Sequence, residues 1–136
     1  MEIEERINAL LDNGVTVVVS TGDYETAEML FPASMSRVIS VGALSANGKP
    51  WDFTNGSDKC LILAPGDEIK SMNMGGNIEY SSGTSQSAIL ISGYISLLKD
   101  YSDQNELEIT NKDIMNILSK INNNLIDYED GFSEMR

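Results

Sequence analysis

Three short apolar runs constrain the fold of this chain more than any other feature. They are Val15-Thr16-Val17-Val18-Val19, Val38-Ile39-Ser40-Val41-Gly42-Ala43-Leu44 and Cys60-Leu61-Ile62-Leu63-Ala64. Each is bounded by turn residues, is rich in β-branched or aliphatic side chains, and lacks a clean polar alternation. That is the pattern of strands buried on both faces, which requires a parallel sheet covered by other elements. A helix over residues 2–12 precedes the first run. Its Ile3, Ile7, Leu10 and Leu11 fall at i, i+4, i+7 and i+8 and share one face. Asn13-Gly14 then stops it, because glycine tolerates the left-handed cap. The spacing predicts an α/β fold with a mostly parallel sheet flanked by helices.

The remaining elements follow from local pattern. Tyr24 to Leu30 is expected to form one or two helical turns. Ile69–Met72 and Ile78–Ser81 are expected to pair as a hairpin across Asn73-Met74-Gly75-Gly76-Asn77. An apolar helix is expected over residues 86–99. Ala88, Ile89, Leu90, Ile91, Tyr94, Ile95, Leu97 and Leu98 cover most of its circumference, which predicts a central, buried helix. A last helix starts near Thr110, with Asp113 three residues on as a capping partner and Ile114, Ile117, Leu118 and Ile121 as its apolar face. From Asn122 onward the chain turns polar and acidic. The expected organisation is one domain over residues 1–122 and an acidic tail over 123–136.

Composition excludes several function classes. A length of 136 residues suits a single domain. Lys and Arg number 9 against 21 Asp and Glu, a formal net charge of −12. A surface this acidic repels phosphate, so no nucleic-acid partner is expected. No apolar run reaches the roughly 18 residues of a membrane span, and the acidic start Met1-Glu2-Ile3-Glu4-Glu5 does not resemble a signal peptide. The single Cys60 rules out an internal disulfide and a multi-cysteine zinc site. No acidic cluster suggests a metal site, and no cofactor is expected. The chain contains 0 histidines, so it cannot supply a histidine base itself.

Two segments have the residue types for chemistry. Gly83-Thr84-Ser85 stands at the mouth of the apolar helix. A serine there points its hydroxyl out of a helix N-terminus, whose unpaired N–H groups stabilise a developing oxyanion, and Gly83 lets another backbone approach. The same residues also suit a plain N-cap. Ser20-Thr21-Gly22-Asp23 ends the first buried strand, on the side where ligands bind open α/β sheets. It also reads as a polar turn capped by Asp23.

Taken in order, these segments resemble one family. Gly14 to Asp23 is similar to the strand and oxyanion loop of the subtilisin-like serine proteases, or subtilases. Phe31-Pro32-Ala33-Ser34 with Val38 to Ala43 resembles the family's "YPAS…VIAVGA" segment. Phe53-Thr54-Asn55-Gly56-Ser57 followed by Ile62-Leu63-Ala64-Pro65-Gly66 resembles "FS..GS…APG", and Ser82-Gly83-Thr84-Ser85-Gln86-Ser87-Ala88 resembles the "NGTSMAT" signature. Gly93 falls where that helix carries a glycine. The resemblance runs from about residue 3 to about residue 121.

The resemblance implies that Ser85 is the nucleophile of peptide-bond hydrolysis. It implies an oxyanion hole from the Ser85 N–H and Asp23, and a substrate-binding wall from Ser20, Thr21 and Gly22 beside Gly83. It also implies a cis Phe31-Pro32 bond. In that family the aspartate and histidine precede the serine. This chain is therefore expected to be the C-terminal portion of a subtilase catalytic domain. It would need Asp and His from an upstream segment or partner chain, with a peptide or protein as substrate. The alternative is a catalytically inactive subtilase-like module that binds peptides or proteins. Two departures bear on the choice. Asp23 stands where the family usually has Asn, a hydrogen-bond donor. Ile89 stands where the family has Pro, which predicts a different backbone path after Ser85.

Overall fold

The structure, a computed structural model, describes residues 2–126. Helix α1 (Glu2–Asp12) turns at Asn13-Gly14 and delivers the chain to β1 (Val18–Ser20). Strands β2 (Ile39–Leu44) and β3 (Ile62–Pro65) complete a sheet of order β1-β2-β3 in which both pairings are parallel. Val18 lies opposite Ile39, and Val41 lies opposite Ile62. A separate antiparallel hairpin, β4 (Ile69–Met72) with β5 (Ile78–Ser81), follows. Helices α2 (Thr84–Gln104) and α3 (Asn111–Ile126) end the described chain.

Alternation along the strands builds two apolar clusters. Ile39, Val41, Ile62 and Ala64 face α2 and α3, where Ile91, Ile95, Ile114 and Leu118 cover them. Leu44, Cys60 and Leu63 pack with Met29 in a second cluster formed by the connecting loops. β2 lies between its two neighbours and is buried along its whole length, the behaviour its unbroken apolar run predicts. The expected hairpin and the start of α3 also form where the sequence placed them.

Four expectations are corrected. β1 begins at Val18 rather than Val15, and it is only half-buried. It is one of the two outer strands of the sheet, with a partner on one side only among the described residues. The backbone of Val15 is instead held by Asn111, whose side chain donates to the Val15 carbonyl at 3.0 Å. Second, residues 24–30 form no helix. Glu25 has φ +54°, and the amides of Tyr24 and Thr26 donate to a side chain instead of to a helical carbonyl.

Third, α2 runs from residue 84 to 104, and its apolar circumference is buried on one side only. Ile91 and Ile95 face the sheet, while Ile89 is 72% exposed and Leu97 69%. Fourth, α3 continues to Ile126, past the expected end of its apolar face. Asn122 is buried there because its side-chain oxygen accepts the Leu63 amide at 2.9 Å. The acidic stretch over residues 127–136 lies outside the described residues.

Candidate active site

The site is assembled at the carboxyl edge of the parallel sheet. β1 ends there in Ser20, followed by Thr21, Gly22 and Asp23; β3 ends there in Pro65-Gly66; and α2 starts there. Two contacts hold the mouth of α2 against β3. The Gly83 N–H donates to the Gly66 carbonyl at 2.7 Å, and the Ser87 hydroxyl donates to the Ala64 carbonyl at 2.9 Å. A Cβ on residue 66 would stand 2.2 Å from the Ser87 Oγ and 2.6 Å from the Ala43 Cβ, so only glycine admits the helix this closely.

Two further contacts tie the helix to the loop after β1. Thr84 is fully buried, and its Oγ1 accepts the Gly22 N–H at 3.2 Å. The Thr84 N–H donates to Asp23 Oδ1 at 2.8 Å. Neither Thr84 nor Ser85 serves as the N-cap; that position is Gly83, with no side-chain cap bond. Asp23 supplies the missing acceptor from another part of the chain. A carboxylate suits this place, since the helix end is positive and the first turn of α2 contains no acid of its own.

Ser85 comes next, at the second position of α2, and it is exposed. The first N–H groups of a helix have no partner inside it. The Ser85 N–H finds no acceptor among the described residues. The exposed Ser85 and its N–H thus stand at the helix mouth, next in sequence to the Thr84 amide that Asp23 accepts. The second Asp23 oxygen lies 3.0 Å from where a Gly83 Cβ would stand. The structure thus brings Asp23, Gly22, Gly83 and Ser85 together. Ser20 and Thr21 lie further back: Ser20 pairs with Val41, and Thr21 is fully buried with its N–H on the Val41 carbonyl. Cys60, the other conceivable nucleophile, sits in the second cluster, where burial pushes its thiol above the ordinary range and keeps it protonated. The peptide bond Phe31-Pro32 is cis.

Sequence reasoning offered Thr84 only as an N-cap and gave no contact to Gly66 or Asn55, all of which shape this corner. Their partners lie far away in the chain, and no local pattern signals such pairings.

Comparison with known proteins places this geometry. The model of the subtilase family matches residues 2–132. The chain belongs to the subtilase family. Among curated relatives, the major intracellular serine protease of Bacillus subtilis (strain 168) is 32% identical over 108 residues, covering 76% of this subtilase and 34% of the relative. Among solved structures, the self-cleaved protease domain of PatA has a TM-score of 0.78 at 29% identity, over 85% of this chain and 44% of that one. The prenylagaramide maturation protease PagA gives a TM-score of 0.77 at 31% identity, over 83% and 42%. This subtilase therefore spans about a third of the curated relative and less than half of either solved protease chain.

Proposed function

We propose that this chain contributes the nucleophile of a serine endopeptidase, with Ser85 attacking a peptide carbonyl once another segment brings a histidine and an aspartate to it. The observation that carries the reading is the exposed Ser85 with its unpaired N–H, at a helix mouth clamped to the carboxyl edge of the sheet. In the step proposed, the incoming histidine takes the Ser85 Oγ proton as the Oγ–C bond forms. The carbonyl oxygen becomes an oxyanion facing the Ser85 N–H. The histidine then returns the proton to the leaving amine as the C–N bond breaks. Within the loop Ser20–Gly22, Gly22 borders the residue preceding the scissile bond, whereas the fully buried Thr21 contributes none of that wall. Asp23 stands at the second oxyanion position, where a carboxylate repels the developing charge and only a protonated oxygen donates to it.

One observation favours a second reading, a peptide-binding module without catalysis. The chain has 0 histidines, and a serine hydroxyl without a base is a weak nucleophile. One experiment separates the two. The chain is mixed with the N-terminal portion of a subtilase catalytic domain that contains the aspartate and histidine, and hydrolysis of a fluorogenic peptide mixture is followed. Hydrolysis that appears on mixing and vanishes with Ser85→Ala is the expected result, since the members of a triad act as a unit. Hydrolysis unchanged by Ser85→Ala moves the nucleophile elsewhere. Peptide binding without turnover selects the second reading.

A further inference from the structure

We infer that Asn55 is a positioning residue for this site: it holds the loop from Gly22 to Thr26 so that Asp23 meets the N-terminus of α2. The inference rests on the reading of Asp23 and Ser85 given above, but it concerns how Asp23 is held, not whether Ser85 reacts.

Asn55 is polar and yet fully buried. A buried amide needs hydrogen bonds to offset its lost hydration. Those it makes all go to one short loop. The Asn55 backbone N–H donates to the Gly22 carbonyl at 2.9 Å. Its side-chain Oδ1 accepts the Tyr24 N–H at 2.9 Å and the Thr26 N–H at 3.1 Å. These three bonds bracket Asp23 on both sides. They replace the helical carbonyls that this segment would otherwise need, which is why residues 24–30 are not helical.

The side-chain oxygen carries this role, because Nδ2 finds no acceptor among the described residues. Nδ2 packs instead against Gly22, where a Cβ would stand 2.6 Å from it. Gly22 also has φ +104°, a conformation side chains disfavour. Gly22 and Asn55 are therefore matched, and either change breaks the fit. From the loop the contacts pass directly to the helix. The Gly22 N–H reaches Thr84 Oγ1, and Asp23 Oδ1 takes the Thr84 N–H. A site held by packed, hydrogen-bonded supports keeps its geometry without reorganising during the reaction.

The test is residue-resolved amide exchange on the full 136-residue chain. Asn55→Leu keeps the volume and removes the acceptor. It should raise exchange at Tyr24 and Thr26 and, through Asp23, at Thr84 by about tenfold or more, while Ile114 and Leu118 stay protected. Asn122→Leu is the control. It removes the acceptor of the Leu63 amide elsewhere in the fold and should leave Thr84 protected. Asn55→Asp keeps an acceptor oxygen and should restore protection at Thr84. Thr84 protection that survives Asn55→Leu while Tyr24 and Thr26 open, or that is lost equally in Asn122→Leu, overturns the inference. If Asn55→Leu does not fold, through-hydrogen-bond couplings in the unmutated chain decide. Coupling of Asn55 Cγ to the Tyr24 and Thr26 nitrogens, and of Asp23 Cγ to the Thr84 nitrogen, supports the inference, and its absence overturns it. In an assembly that hydrolyses peptide, Asn55→Leu should lower kcat and leave KM nearly unchanged; an unaltered kcat contradicts the positioning role. A Ser85 that never reacts leaves the exchange rates as they are, so the two failures are distinguishable.

Discussion

Asp23 does two things at once at the scale of single residues, and they pull in different directions. Its Oδ1 accepts the Thr84 N–H, so its charge stabilises the end of α2. Its other oxygen stands near Gly83, and in the proposed function it occupies the second oxyanion position, where a donor is needed. Asp23→Asn keeps an oxygen for Thr84 and places an NH₂ on that second side. In a reconstituted active assembly it should therefore raise turnover. In subtilisin, loss of one oxyanion donor lowers the rate by about 10²–10³; that magnitude belongs to subtilisin itself and sets the scale of the gain sought here. The same substitution should lower Tm slightly, because the helix end loses a charge. Turnover of both forms checks this, and equal turnover would remove Asp23 from the oxyanion site.

Elements show where local pattern decides structure and where it does not. The capping pair of α3 is fully local, and the structure realises it. The Thr110 N–H donates to the Asp113 carboxylate at 2.9 Å, and the Asp113 N–H donates to Thr110 Oγ1 at 3.2 Å. The bonds from Thr110 hold the Asp113 carboxyl below its ordinary value of 3.8. A carboxyl with a depressed folded-state value contributes stability above the ordinary carboxylate range and loses it as pH falls through that depressed value. Asp113→Asn should therefore flatten the acid limb of a Tm-against-pH curve and lower Tm near neutrality; an unchanged acid limb would contradict it. α2 shows the opposite case. Its apolar residues were legible as a helix, but burial of the whole circumference was not, because periodicity reports a helix and not which sides are covered. Ile95 is 4% exposed against the sheet, whereas Leu97 is 69% exposed. Ile95→Ala should cost about 2–5 kcal/mol in denaturant unfolding, and Leu97→Gln should stay within about 0.5 kcal/mol. Similar losses from both would mean that the outer face of α2 is packed. β1 has the same lesson in a strand: its Val-rich run reads as buried on both faces, yet the strand is only half-buried, while β3 at the other edge is buried over Ile62 to Ala64.

At the scale of the whole molecule, the described residues form a three-stranded parallel sheet with α2 and α3 packed on it and a separate hairpin; the parallel sheet follows from three apolar runs, whereas the face that the helices cover does not. The site was legible in part, through motifs that each occupy a few consecutive residues: Ser20 to Asp23 and Gly83 to Ser85. What single-sequence reasoning could not supply is the clamp between them. Thr84 meets Gly22 and Asp23 across 62 and 61 positions, and Asn55 meets Tyr24 and Thr26 across 31 and 29. Such pairings are set by how the loops cross the sheet edge, and neither composition nor periodicity encodes them. In the proposed function Ser85 is a nucleophile whose base is supplied by another segment. The most direct measurement is intact mass after treatment with a fluorophosphonate probe at neutral pH, with and without the N-terminal portion of a subtilase domain bearing aspartate and histidine. The chain alone should remain unmodified, and the mixture should gain one adduct mapped to Ser85 and absent in Ser85→Ala. Stoichiometric modification of Ser85 in the chain alone would contradict the account, because a group within these 136 residues would then be activating the hydroxyl.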